Sequence, residues 1–191
     1  MYLYPGRRPG LGIWLITGSP GIGKSTVVSK VVVRLKSAGV IVGGCTTSEK
    51  RAEGARIGFE IRDLSSEKTG ELASSISKVG PRVGRYRVNL ADLAKIGGRA
   101  LEWASSSSEL IVVDEVAPME LVSPEFRRGV RTCIDSGKPM LAVVHERLED
   151  DLLNELRDKA VAIITLTVEN RDTAADELER VLLKAVGGPK V

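Results

Sequence analysis

The chain has 191 residues, with 28 Lys and Arg against 25 Asp and Glu for a formal charge of +3; 42% of its residues are hydrophobic and 28% charged. A chain of this size buries roughly 70% of the surface it exposes unfolded, so one compact domain over 1–191 holds a core without disulfides, and the composition excludes intrinsic disorder. The near-balanced charge argues against a nucleic-acid coat and for a local anion site, while Cys45 and Cys133 form neither a disulfide framework nor a zinc spacing and suit a reducing cytoplasm.

Residues 1–10, with Pro5, Gly6 and Pro9, read as an irregular lead-in. Residues 12–17 form a continuous apolar run suited to a buried parallel strand. The run is too short to cross a membrane and lacks a following cleavage pattern, so neither a membrane span nor a signal peptide is expected. Beyond a glycine-rich stretch, Val27, Val28, Val31, Val32 and Leu35 recur at helical spacing; their β-branching lowers helix propensity, so packing on a sheet must hold this helix. Gly39 ends it, and residues 40–42 begin the next strand.

Residues 49–88 change character. Ile57, Phe59 and Ile61 alternate with Gly58, Glu60 and Arg62, residues 65–70 read as a turn, and 83–88 alternate again, so this stretch is expected as an antiparallel insertion at the sheet edge. Strand–helix alternation then resumes. Asn89 caps a helix carrying Leu90, Leu93, Ala94, Leu101 and Ala104. Residues 110–113 form a buried strand ending in Asp114-Glu115, and Ser123-Pro124 opens a helix with Phe126, Val130, Cys133 and Ile134 inward. A strand over 140–144, a helix over 148–156, a strand over 161–168 and a last helix capped at Asp172 or Thr173 complete the pattern. The alternation predicts a three-layer α/β domain with a mostly parallel sheet.

Gly18-Ser19-Pro20-Gly21-Ile22-Gly23-Lys24-Ser25 matches G-x-x-x-x-G-K-[ST] in full, between an expected strand and an expected helix. Successive N–H groups of such a loop turn toward one point, and the following helix adds the partial positive charge of its N-terminus. Lys24 would reach the β- and γ-phosphates, Ser25 would ligate Mg²⁺, and Thr26 would meet an α-phosphate oxygen. At the carboxyl end of 110–113, where ligands of open α/β sheets bind, Asp114 is the expected Mg²⁺ partner. Glu115 would orient and deprotonate water at the γ-phosphate; the competing reading is a helix cap or an arginine partner. An acid directly after Asp114 suits the P-loop class with an extra strand between the phosphate-loop strand and this one. His145, at the end of the next strand, is a second candidate to hold the water, with a surface hydrogen-bonding role as its rival. Among Arg51, Arg56, Arg62, Arg85, Arg87, Arg127 and Arg128, Arg85 is favoured for transition-state charge because Gly84 and Tyr86 flank it.

The phosphate loop together with residues 54–59 (GARIGF), 83–86 (VGRY), Val113-Asp114-Glu115 running into Met119-Glu120-Leu121, and Asn170-Arg171-Asp172 resembles the small thermophile-type, or cancer-related, nucleoside-triphosphatases over about residues 12–180. The resemblance implies a monomeric P-loop NTPase fold that hydrolyses ATP, GTP and other nucleoside triphosphates slowly with Mg²⁺. It also implies a nucleotide site formed by residues 18–25 and about 110–117: Leu110, Ile111, Val112, Val113, Asp114, Glu115, Val116 and Ala117. Ala117-Pro118 stands where many relatives carry Gly-Lys, and Ala55 replaces a frequent glycine. By position, Asn170 and Arg171 are candidates for base contact, although a helix-entry loop explains them equally. Two rival functions remain at this level: a nucleotide or nucleoside kinase sharing the phosphate loop, and a nucleotide-switched RNA-binding module using Arg82, Arg85, Arg87 and Tyr86.

Overall fold

The computed structural model describes residues 12–189 and the backbone of Tyr2 and Leu3. In chain order it contains β1 (Tyr2–Leu3), β2 (Ile13–Thr17), α1 (Lys24–Ser37), β3 (Val42–Ala52), β4 (Ala55–Asp63), β5 (Thr69–Ser74), β6 (Arg82–Val83) and β7 (Tyr86–Val88). There follow α2 (Leu90–Asp92), a π-helical turn (Leu93–Gly98), α3 (Arg99–Ser107), β8 (Leu110–Val116), α4 (Pro118–Leu121), α5 (Pro124–Asp135), β9 (Met140–Val144), α6 (Asp151–Lys159), β10 (Ala160–Thr165) and α7 (Ala174–Ala185).

All ten strands share one sheet, ordered β1-β10-β2-β9-β8-β3-β4-β5-β7-β6. β10, β2, β9, β8 and β3 are mutually parallel and form the centre. β9 is the extra strand between β2, which feeds the phosphate loop, and β8, which carries the acids. The continuous apolar character of β2 follows from coverage on both faces. Ile13 and Leu15 enter one core with α3, α5 and α6. Trp14 and Ile16 enter the other with α1 and α7, where Val27, Val28, Val31, Val32 and Leu35 are all buried.

The antiparallel part is larger and more continuous than an edge insertion. β3 runs eleven residues: Val42–Thr46 pair in parallel with β8, and Cys45–Ala52 pair antiparallel with β4. β3 thus lies between the two, and Gly44 is required where it meets β8, since at φ 107° a Cβ there would lie 2.0 Å from the Val112 carbonyl oxygen. The 65–70 turn closes sooner than its sequence suggests. The Asp63 carboxylate accepts from the hydroxyls of Ser65 and Ser66, and Thr69 and Gly70 already belong to β5. The 83–88 alternation is two short strands folded at Gly84-Arg85.

Other boundaries move for local reasons. Tyr2–Leu3, within the expected irregular lead-in, pair antiparallel with β10; the rest of that lead-in lies outside the described residues. α6 starts at Asp151 because the Asp150 side chain accepts the Leu152 N–H at 2.9 Å. β10 stops at Thr165 because the Asn170 side chain holds the Thr167 N–H and the Thr165 carbonyl, turning the chain. Asn89 and Ser123 cap as expected, accepting from the amides of Asp92 and Phe126. No helix among the described residues is long and apolar enough to cross a membrane.

Candidate nucleotide-hydrolysis site

The loop between β2 and α1 turns on Gly18, Gly21 and Gly23, with φ of 135°, 79° and 112°. L side chains avoid these values. At Gly18 a Cβ would also sit 2.7 Å from the Leu166 carbonyl oxygen, so the loop lies directly against the chain leaving β10. Gly23 is the N-cap of α1; no side chain caps the helix, and its first turn holds no acid. The helix therefore presents unfilled N–H groups and positive potential to an outside anion. Lys24 Nζ folds over the loop and donates to the carbonyls of Gly18 at 2.8 Å and Ser19 at 3.3 Å. Ser19, Pro20, Gly21, Ser25 and Thr26 are exposed, and Ile22 and Gly23 partly so.

β8 delivers the acids. Asp114 pairs in register with Thr46 of β3 and lines a cleft of about 650 Å³ with Ser25, Thr26, Ser29, Thr46, Thr47, Ser48 and Arg62. Asp114 is 1% exposed, and its Oδ1 has no hydrogen-bond partner. Burial pushes its carboxyl up to about 7, opposed by the Ser25 hydroxyl, with repulsion from Glu115 adding to the rise and Lys24 opposing it. Burial also raises Glu115, while Lys24 and His145 pull it back.

His145, exposed at the end of β9, donates its backbone N–H to the Val116 carbonyl, and its ring Nδ1 accepts the Arg147 backbone N–H. Its neutral form thus carries the proton on Nε2. The structure therefore gathers the glycine loop, Lys24, Ser25, Asp114, Glu115 and His145 at the carboxyl ends of β2, β8 and β9.

Other expected site residues fall elsewhere. Leu110, Ile111, Val112 and Val113 are fully buried in the two cores, and Val116 and Ala117 are buried beside them. They aim the acids and present no side chain to a nucleotide. Arg85 lies on the turn between β6 and β7, at the edge of the sheet, with β9, β8, β3, β4 and β5 between β7 and β2. There it donates to the Arg56 carbonyl and the Tyr86 hydroxyl and stacks on the Tyr86 ring. Of the candidate arginines, Arg62 is the one lining the cleft. Tyr86 is 6% exposed, with its hydroxyl also taken by Arg56, so it offers no open face to a single strand. The Asn170 side chain is spent on its turn, and Arg171 after it is exposed.

Sequence reasoning missed Thr46, Thr47 and Ser48, which reach the cleft only because β3 pairs with β8. It also assigned no role to Glu120, a carboxylate 3% exposed whose Oε2 is unpartnered. The signal was an acid set in an otherwise apolar run, Ala117 to Val122. With Thr17 Oγ1, Asp114 Oδ1 and Glu120 Oε2 are the buried side-chain atoms without partners among the described residues. Two of these three belong to residues at the carboxyl ends of β2 and β8, and the third lies on α4 just beyond β8.

Buried polar atoms are normally paired, so the free Asp114 Oδ1 in the cleft it shares with Ser25 marks a place where an external ligand completes the bonding. The donors suit a hard cation: one hydroxyl and one carboxylate with a free oxygen. No group of three or more His, Cys, Asp or Glu side chains placed to hold a metal exists among the described residues. That sparse donor set fits Mg²⁺, which takes one or two protein oxygens plus phosphates and water.

The family described as NTPase matches residues 14–179. The chain belongs to this family. It is 42% identical over 175 residues to nucleoside-triphosphatase THEP1 of Thermofilum pendens, covering 91% of this chain and 96% of that protein. It is 43% identical over 173 residues to nucleoside-triphosphatase THEP1 of Methanosarcina acetivorans, covering 90% and 97%. Among solved structures, THEP1 from Aquifex aeolicus superposes with a TM-score of 0.78 at 31% identity, covering 89% of this chain and 98% of that one. A human cancer-related nucleoside triphosphatase matches at the same score and identity, covering 91% and 98%. The chain is a P-loop nucleoside-triphosphatase.

Proposed function

We propose that the chain hydrolyses ATP, GTP and other nucleoside triphosphates to the diphosphate and phosphate, with Mg²⁺ held by Ser25 and Asp114. The observation that carries this reading is the orphaned Asp114 Oδ1, lining one cleft with Ser25 beside an uncapped, glycine-lined helix N-terminus. The backbone N–H groups of Gly21, Gly23, Lys24 and Ser25 bind the phosphate tail, and Lys24 leaves its two loop carbonyls to reach the β- and γ-phosphates. Glu115 accepts a proton from water as the water oxygen bonds to the γ-phosphorus and the bond to the β–γ bridging oxygen breaks. His145 Nε2–H steadies that water from the neighbouring strand. Mg²⁺, which Ser25 and Asp114 would hold, would supply charge neutralisation to the phosphates, and Arg62 adds positive charge from β4. Arg171, exposed on the chain after β10, would meet the base.

The protein acts as a monomer. Its two free, buried cysteines suit a reducing cytoplasm. The test is phosphate release from ATP, GTP, CTP and UTP, each with Mg²⁺ and with chelator. Release from all four that stops on chelation supports the reading, and release undiminished by chelation overturns the Mg²⁺ assignment.

A second reading, phosphoryl transfer to a nucleoside or nucleotide, draws on one feature. The cleft continues beyond Ser25 along α1 to Ser29, Lys30 and Lys36, leaving room for an acceptor. Formation of the nucleoside diphosphate only after addition of an acceptor, with the phosphoryl group recovered on that acceptor and no free phosphate released, would favour it.

A further inference from the structure

A second cleft, of about 390 Å³, is lined by Lys68, Lys95, Arg99 and Trp103 together with Asp63. Its size falls within the range of small-ligand pockets, roughly 300–1,000 Å³. Lys95 comes from the π-helical turn, Arg99 and Trp103 from α3, and Lys68 from the turn between β4 and β5. The cleft shares no lining residue with the one beside the phosphate loop. Arg62 and Asp63, consecutive on β4, line one cleft each, as the alternation of side chains along a strand requires. α1 borders the first cleft and packs in one core, while α3 packs in the other, so the two clefts open on opposite faces of the sheet.

Three cations meet one acid there, and that acid is already engaged. The Asp63 carboxylate accepts the Ser65 backbone N–H at 2.8 Å and the hydroxyls of Ser65 and Ser66 at 2.7 and 2.6 Å. Among the described residues, the side chains of Lys68, Lys95 and Arg99 have no hydrogen-bond or ion-pair partner. Arg127, Arg131 and Lys159, on α5 and α6, are by contrast all paired with acids. Lys95 and Arg99 stand four residues apart, a helical spacing at which like charges repel, and a bound anion offsets that repulsion. π-Helical turns such as the one carrying Lys95 occur frequently at functional sites. Trp103, four residues beyond Arg99, is 40% exposed, and it is the exposed aromatic side chain among the described residues. A Cβ at Gly43 would come within 2.9 Å of its Cζ3, so the glycine admits one edge of the ring against β3 and fixes its place. An anchored, open ring beside three unpaired cations matches a ligand carrying both a planar base and a phosphate.

We propose that this cleft is a second nucleotide site, which binds a mononucleotide with its base on Trp103 and its phosphate among Lys68, Lys95 and Arg99. No residue of the catalytic cleft takes part, so the proposal stands apart from the hydrolysis reading. Asp63, the carboxylate of the cleft, is spent on its own turn, so binding needs no Mg²⁺. A nucleic-acid strand does not fit the place as well, since it calls for successive stacking platforms along a basic groove. One ring and one cluster of charges supply the contacts of a single nucleotide.

Trp103 itself reports on the test. Trp14, the other of the two tryptophans, is 3% exposed in the core on the α1 face, and Trp14→Phe leaves the emission to Trp103. Titration with AMP and with GMP, in chelator, is expected to quench that emission saturably. Removing two of the three cations in Lys95→Ala/Arg99→Ala should weaken AMP at least about tenfold, the scale of losing charge-assisted bonds to phosphate. Lys24→Ala should leave the AMP response unchanged. If Trp14→Phe does not fold, calorimetry with AMP in chelator on the parent, Lys95→Ala/Arg99→Ala and Trp103→Leu takes its place, with binding expected in the parent alone. No saturable response to either nucleotide overturns the proposal, as does a response that survives the loss of Lys95 and Arg99. A response lost in Lys24→Ala instead assigns the nucleotide to the phosphate loop and also overturns it. Tighter binding of a single-stranded oligonucleotide than of AMP at the same cations overturns the mononucleotide as occupant. Phosphate release by Lys95→Ala/Arg99→Ala at the parental rate is expected, and failure of hydrolysis in the parent bears on the catalytic reading alone.

Discussion

Lys24 Nζ lies 2.8 Å from the carbonyl oxygen of Gly18, the first residue of the loop that ends at Lys24 itself. The only cation of the loop is therefore held by two neutral carbonyls, Gly18 and Ser19. Such bonds are easily exchanged for charge-assisted ones to phosphate. Lys24→Ala should reduce turnover by about 10²-fold or more and sharply weaken triphosphate binding, because positioning and charge neutralisation make up most of phosphoryl-transfer catalysis. Its fold should persist, since no buried contact is lost. Steady-state phosphate release, calorimetric binding and circular dichroism on the one variant separate these statements, and parental turnover would remove the phosphate-loop assignment.

Glu115 differs from Asp114 in exposure and in neighbours, and the two acids should separate kinetically. Glu115→Gln keeps the size of the side chain and the cation-facing Asp114, so Mg²⁺–nucleotide affinity should hold. Turnover should fall about 10²-fold, the scale of general-base loss. Single-turnover hydrolysis alongside binding of a non-hydrolysable analogue checks this. An unchanged rate would move the base to another group.

Asp114 makes the unliganded protein sensitive to pH in a defined direction. Its carboxyl is raised from 3.8 to about 7, so between those values the folded state binds the proton more tightly than the unfolded chain. Stability from this group is full below about pH 4 and declines as pH rises toward 7, by an amount on the order of 2–4 kcal/mol. Asp114→Asn should remove that decline and leave the variant more stable than the parent at pH 8, while abolishing hydrolysis. Thermal melts of both proteins from pH 5 to 8 without nucleotide provide the measurement. Added Mg²⁺ and nucleotide should narrow the difference, because they favour the ionised carboxylate.

What the sequence conveyed and what it did not divides along physical lines. The phosphate loop, the acid pair and the helix caps at Asn89 and Ser123 are local: neighbouring residues fix their geometry, so spacing alone located them. The parallel strands were legible because burial on both faces forces continuous apolar runs. Thr46, Thr47 and Ser48 were not, because their place in the cleft depends on β3 pairing with β8, a contact between residues more than sixty positions apart. Glu120 was hidden for a similar reason: an acid on a short helix looks solvated until the sheet and α5 close over it. Arg85 attracted attention through its flanking glycine and tyrosine, and those neighbours serve an edge cluster instead.

That last difference gives a direct comparison between two arginines. Arg62 stands opposite Thr46 across β3 and β4 and lines the cleft with Asp114 and Ser25, paired only loosely to Glu67 at 3.5 Å. Arg85 is tied to the Arg56 carbonyl and the Tyr86 hydroxyl, far along the same sheet. Arg62→Ala should therefore lower kcat by about tenfold or more, the lower range for losing a charge that serves the transition state, with a smaller change in KM. Arg85→Ala should leave kcat within about twofold and show itself instead as a loss of about 1 kcal/mol in stability, through its hydrogen bonds and its stacking on Tyr86. Chemical denaturation and phosphate-release kinetics on both variants decide the assignment. A catalytic loss confined to Arg85→Ala would mean that the antiparallel half of the sheet folds toward the phosphates during turnover, and would return the charge-stabilising role to Arg85.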